Sequence, residues 1–261
     1  LDPDVFIDNH VSNGADYQYT LTYIASMKER MSPQINDLTY VKCIPYLTEK
    51  VKLYGWDLFP YVELKGETPA QGIHAFNDLP RYAMGYASLF HSIIFTVETH
   101  MLKPFPQRVQ ATLAFMEGII AFTTENALEI EAKRSAAKLW ARNLHQYAFN
   151  YQLTEKADSI SFKGFEHSFP LHPITGLKEL TYDRTLPYER LIPWYKTYVP
   201  KDTVTVPEYY VVGGQEQGVI DRLKANHVIY ETLTKQSIDT LRVFSVKSYK
   251  SPSQPYEGHF K

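Results

Sequence analysis

A single cysteine, Cys43, occurs in 261 residues, which excludes an internal disulfide framework and any metal cluster built on cysteine. It sits in the apolar stretch Tyr40-Val41-Lys42-Cys43-Ile44 and is expected to be a buried small hydrophobe. No run reaches the roughly 18 apolar residues that a membrane-spanning helix requires, so no transmembrane segment is expected. Charge of one sign is missing as well. Lysine plus arginine (27) nearly balances aspartate plus glutamate (29), so no bulk field points to nucleic acid or to an anionic membrane surface. Internal repeats and low-complexity tracts are absent. The chain opens on Leu1-Asp2-Pro3-Asp4 without an initiator methionine or a signal peptide, and reads as a processed or excised piece.

What is present is a chain able to bury a full core, 44% hydrophobic, with 20 tyrosines and 14 phenylalanines. Aromatics in that number suit sheet surfaces and grooves for peptides or sugars, although packing accounts for most of them. Val5 to His10 predicts a short buried strand with polar residues at its C-terminal end, where open α/β sheets place their chemistry. Tyr17 to Met31 is compatible with a helix, and Asp37 with the cap of another over about 38–53 despite Pro45. Trp56 to Leu64 and the apolar run Ser92 to Glu98 read as strands, joined by a long loop from Gly66 to Gly85. Val109, Leu113, Met116 and Ile120 recur at helical spacing after Pro104-Phe105-Pro106 and predict an amphipathic helix. A charged helix follows over about 127–143.

Beyond it the texture changes to short β-like runs, with Ser159 to Phe162, Tyr209 to Val212 and Arg242 to Tyr249 as strands and Gln217 to Ala225 as a helix. The expected class is α/β, a mixed sheet flanked by helices over residues 1–145, with a smaller β-rich accessory domain over 146–261. In that tail, His167, His172, Asp183 and Arg184 lack ligand spacing and receive no chemistry. Trp194, Tyr209 and Tyr210 read as core more readily than as a groove.

Strand alternation puts Asp8 and His10 on one face, with His10 at the strand end. A histidine there can bind metal or shuttle protons, and a carboxylate two residues away can orient it. Glu98 follows an apolar strand, so its carboxylate would stand at the edge of a low-dielectric core where burial raises its pKa toward the range of a general base. The plain alternative for Glu98 is an ion pair with Lys103 or Arg108. His100, two residues beyond, allows a weaker reading as part of a His10, Glu98 and His100 metal triad, against ordinary packing.

Three stretches, in order, carry a specific resemblance: Asp8-Asn9-His10 through Thr20, Pro80-Arg81-Tyr82-Ala83-Met84-Gly85-Tyr86, and Glu98-Thr99-His100 through Phe105 with Gln107-Arg108-Val109. Over roughly residues 4–125 the chain resembles bacterial members of the carboxypeptidase A superfamily of zinc peptidases. The segment from Pro255 to Phe260 is similar to the C-terminal end of such bacterial proteins. The resemblance implies a zinc cofactor, secretion or a periplasmic location, and removal of C-terminal residues from a peptide substrate. It implies His10 as the third zinc ligand and Glu98 as the catalytic glutamate. Asp8 and His100 would stand behind them, and Tyr82 or Tyr86 would match the mobile tyrosine over the substrate. Arg81 is equally a contact for a substrate carboxylate or a surface ion pair.

The family's first two ligands come from a His-x-x-Glu motif, and none of the nine histidines here begins one. A catalytic zinc site needs three protein ligands, so the isolated chain is expected to be an inactive fragment. Its partner would be the missing N-terminal half of the catalytic domain, and the loss of upstream strands would leave a sheet edge exposed. Alternatives are an N-acyl amino acid deacylase with the same site, or an inactive scaffold that binds peptide or glycan.

Overall fold

The computed structural model describes residues 2–233, 241–255, 258 and 260. Two compact units divide it, Leu1–Pro207 and Glu208–Lys261. In the first, β1 (Val5–Ser12) and β2 (Leu21–Ala25) are followed by a helical stretch made of α1 (Pro33–Asn36), a wider π-turn segment (Asp37–Cys43) and α2 (Ile44–Leu53). Then come β3 (Leu58–Pro60), β4 (Glu63–Leu64), a 3₁₀ turn (Pro69–Gln71), β5 (Ile73–His74), α3 (Ala83–Ser88) and β6 (Ile93–His100). Two long helices, α4 (Phe105–Glu125) and α5 (Ala127–Arg142), lead into β7 (Gln146–Leu153), β8 (Asp158–Ser168), β9 (Thr181–Tyr195) and β10 (Tyr198–Thr205).

The central sheet has the order β1-β6-β2-β3. β1 runs parallel to β6, β6 antiparallel to β2, and β2 parallel to β3. The architecture is therefore mixed α/β. Odd residues Ile93, Phe95 and Val97 of β6, with Val5 and Ile7 of β1, pack in one core with Leu47 of α2 and Phe115, Ile119 and Phe122 of α4. Even residues Phe6 and Ile94 pack on the opposite face with Met84 of α3. A third cluster, Tyr17, Tyr19, Phe59, Ile73, Phe162 and Ile192, binds β3 and β5 to the ribbon of β8 and β9.

Several expectations change in this light. Leu21 to Ala25, inside the expected helix from Tyr17 to Met31, is a strand. It lies between β6 and β3 with both faces buried, and a doubly buried run loses the period-2 signature that separates strand from helix. Pro45 is accommodated because the π segment before it widens the helix, so the carbonyl its missing N–H would have served is not trapped in a regular ladder. Asp37 caps nothing through its side chain. Ser32 accepts from the Ile35 N–H at the real helix start, and Asp37 pairs with Lys133 at 2.5 Å.

Trp56 to Leu64 supplies two short strands that belong to different sheets. β1 is half-exposed rather than buried, because it lies at the sheet edge. On α4 the expected stripe is exposed: Leu113 is 55% and Ile120 61% accessible, while Ala111, Phe115, Ile119 and Phe122 fill the core.

The position taken as a domain boundary, near residue 145, falls inside the first unit. The tail strands cannot separate there: β9 pairs with β5 at Ile73 and His74, and Phe162 and Ile192 are fully buried against Tyr17, Tyr19 and Phe59. The second unit holds α6 (Gln217–Ala225), as the sequence predicts. Tyr209 to Val212 and Arg242 to Tyr249 form no strand, and Tyr209 and Tyr210 are exposed. The motif from Pro255 to Phe260 lies partly outside the described residues.

Candidate functional site

β1 and β6 end side by side because they run parallel in register, His10 opposite Glu98 and Ser12 opposite His100. The C-terminal ends of parallel strands are where open sheets build sites. Asp8, His10 and Glu98 share the even face. His10 Nε2 lies 3.0 Å from Asp8 Oδ1, and His10 Nδ1 lies 3.8 Å from Glu98 Oε1. The imidazole thus stands between two carboxylates, oriented by Asp8 as the two-residue spacing predicts. It is half open to solvent, whereas the Glu98 side chain is 10% accessible.

Burial pushes the Glu98 carboxyl up to about 7; the His10 imidazole pulls it down and the Asp8 carboxylate adds to the rise. Neither Lys103 nor Arg108 neutralises it. Lys103 donates to the Tyr17 carbonyl and faces Asp16 at 3.9 Å. Glu98 Oε2 is buried and accepts no hydrogen bond within the protein. An unsatisfied buried oxygen on a carboxyl whose pKa burial raises, next to an exposed imidazole, can take up and release a proton toward a bound molecule.

Two tyrosines that sequence reasoning did not single out flank this glutamate. Tyr17 is buried and its hydroxyl meets Ser12 Oγ at 3.4 Å. Tyr61 carries a phenol raised to about 12 by burial, with the charges of Glu63 and Glu98 adding to it. Only the pairing of β2 with β6 and the turn after β3 bring them near, so no local pattern could have revealed them.

His100 does not join a metal triad. Its Nε2–H donates to the Ala15 carbonyl at 2.7 Å, and its Nδ1 accepts from the Leu102 N–H at 3.0 Å. Both nitrogens are spent, which fixes the neutral tautomer and agrees with a pKa lowered by burial. The Tyr17 ring packs edge-on against it at 4.4 Å. Arg184, from the β9 end of the tail, donates to Asp16 at 2.6 Å and to the Leu102 carbonyl at 3.2 Å. One guanidinium therefore ties the loop after β1 to the loop after β6, a role that no sequence motif announced.

Arg81, Tyr82 and Tyr86 sit at the start of α3, on the same face of the sheet as the site. The Arg81 guanidinium lies 5.2 Å from the Tyr82 ring, Tyr82 packs on Phe76 and Tyr86 on Phe90. This segment is pinned from below. Asp78 is fully buried and accepts from Ser26 Oγ at 2.8 Å and the Met27 N–H at 3.2 Å, with Arg30 at 3.4 Å. Gly85 packs so closely on the Asp78–Leu79 turn that a Cβ would lie 2.2 Å from the Leu79 carbonyl oxygen.

No group of three or more histidine, cysteine, aspartate or glutamate side chains arranged to hold a metal occurs among the described residues. His10, the one zinc ligand that the resemblance assigns to this chain, keeps its imidazole half open to solvent beside the Asp8 and Glu98 carboxylates. No helix among the described residues is long and apolar enough to cross a membrane. Comparison with known proteins finds no matching family, no matching curated protein and no matching solved structure.

Proposed function

We propose that the chain supplies the general base and one metal ligand of a zinc-dependent peptidase of the carboxypeptidase type, the remaining ligands being contributed from outside these 261 residues. The observation that carries this reading is Glu98. It is a buried carboxyl raised to about 7, with one oxygen unpartnered, beside an exposed, carboxylate-oriented histidine at parallel strand ends. Bound zinc would supply a Lewis acid that polarises a carbonyl and acidifies water. His10 would offer it a ring nitrogen with the imidazole oriented by Asp8, and Glu98 would accept a proton at Oε2 and return it to a leaving amine. Arg81 and the tyrosines of α3 would meet the substrate.

An N-acyl amino acid would satisfy the same base, so the assay compares peptides with acyl amino acids, using the protein extended upstream of Leu1. Hydrolysis of C-terminal peptide bonds that drops about 10²–10⁴-fold in Glu98→Gln supports the reading. Activity on acyl amino acids alone moves it to a deacylase, and activity unchanged in Glu98→Gln removes it. The binding-scaffold reading draws on the lack of a three-donor group among the described residues. It predicts peptide or glycan binding without hydrolysis in the extended protein.

A further inference from the structure

The end of β2 remote from Glu98 borders a cleft. β2 runs antiparallel to β6, with Leu21 opposite Thr99 and Ala25 opposite Phe95, so the residues after Ala25 leave the sheet at the end opposite His10 and Glu98. The Tyr61 N–H donates to the Tyr23 carbonyl at 2.8 Å, and the Ala75 N–H donates to the Tyr195 carbonyl at 2.9 Å. The end of β2, the turn after β3 and the pairing of β5 with β9 thus meet around one cavity of about 110 Å³. Ile24, Pro60, Tyr61, Phe76 and Trp194 line it, together with Lys28 and Lys196. An apolar cavity of roughly 150 Å³ takes a benzene ring, so this one takes a branched or small cyclic group of about four to six non-hydrogen atoms.

The charges around the cavity do not cancel in pairs. Lys28 Nζ lies 4.3 Å from the centroid of the Tyr40 ring, and Lys196 Nζ lies 4.4 Å from that of Trp194. Lys196 also pairs with Asp158 at 2.8 Å, and the Glu29 carboxylate accepts from the Tyr198 N–H at 3.2 Å. Lys28 has no carboxylate partner of its own among the described residues. Burial lowers its pKa, the Lys196 charge lowers it further, and Glu29 only partly offsets them. A cationic ligand is disfavoured, because each ammonium already stands over a ring face that such a ligand would use. The Tyr40 hydroxyl donates to the Ser26 carbonyl at 2.9 Å, which fixes that ring as a wall.

We infer that this cleft binds a small organic carboxylate with a branched or cyclic apolar body, at a site separate from His10 and Glu98. The body fills the cavity against Ile24, Phe76 and Trp194, space that neighbouring side chains leave empty. Lys28 is exposed, so the cleft opens to solvent on that side. There the carboxylate meets the Lys28 ammonium, with Lys196 as its second contact, and supplies the counter-charge that Lys28 lacks.

The test titrates the 261-residue chain with isovalerate, followed by calorimetry and by the amide resonances of the cleft. The expected result is saturable binding with a Kd on the order of 0.1–1 mM, with shifts at Ile24 and Phe76. Lys28→Met should weaken it about tenfold or more, and Glu98→Gln should leave it unchanged. The neutral amide, isovaleramide, should also bind at least about tenfold more weakly to the unaltered chain, a comparison that does not depend on how a variant folds. Lack of saturation below about 10 mM, equal binding of acid and amide, or tetramethylammonium binding as tightly as isovalerate would overturn the inference. Shifts centred on His10 and Glu98 would overturn it as well, by assigning the carboxylate to the other end of the sheet.

Discussion

On its β2 side, β6 meets a finished core: β2 is paired on both edges, tyrosines and phenylalanines from β3, β8, β9 and the segment before β2 interlock, and Asp78 is held by Ser26, Met27 and Arg30. On its β1 side the same strand meets a neighbour with an unpaired edge, a half-exposed histidine and an apolar helix stripe open to solvent. Glu98 sits between the two. The closed flank supplies its burial and hence its raised pKa, and the open flank supplies access. The open edge of the sheet and the exposed imidazole of His10 lie on the same side of β6.

The largest effects should come from the closed flank. Asp78→Ala leaves the Arg30 guanidinium, 7% accessible, without its carboxylate, and should cost about 3–5 kcal/mol in denaturant unfolding. A loss below about 1 kcal/mol would show that the knot under α3 is dispensable. The two sides of α4 give the sharpest contrast. Phe115→Ala should cost about 3–5 kcal/mol because that ring is fully buried, whereas Leu113→Ala should stay within about 0.5 kcal/mol. Equal costs would mean that the exposed stripe is already covered in the isolated chain.

A smaller effect tests the loop clamp. His100 is neutral in the fold with its pKa lowered, facing Lys103, Asp16 and Arg184. As pH falls through its ordinary value of 6.5, the unfolded chain takes up a proton that the fold refuses, so stability falls. Glu98 has the opposite sign between 4.5 and about 7, where the fold holds a proton that the unfolded chain has released. The readout is therefore the difference between His100→Gln and the parent. The parent should lose more stability from pH 7.5 to 5.5, by up to about 1.4 kcal/mol per unit of pKa shift. Identical pH profiles would contradict the clamp.

Legibility in the sequence followed the distance over which each feature is decided. α4, α5, α6 and β6 are readable because local periodicity or an unbroken apolar run fixes them, and the placement of Asp8, His10 and Glu98 at two strand ends because strand alternation and an apolar run mark it. β2 was missed since burial on both faces erases its period. The spacing of Val109, Leu113, Met116 and Ile120 marks α4 as a helix but not its buried side, because a helix with two apolar sides presents two equally good stripes and only the position of the sheet selects Phe115 over Leu113. Tyr17, Tyr61 and the Asp16–Arg184 pair depend on residues brought together from up to 168 positions apart, which no window along the chain contains.

The most direct test of the central claim is zinc affinity, measured by titration calorimetry on the 261-residue chain and on the protein extended upstream, each with His10→Ala. The account predicts one tightly held zinc only in the extended protein, lost with His10→Ala. Tight binding by the short chain alone, or binding in the extended protein that ignores His10→Ala, would contradict it.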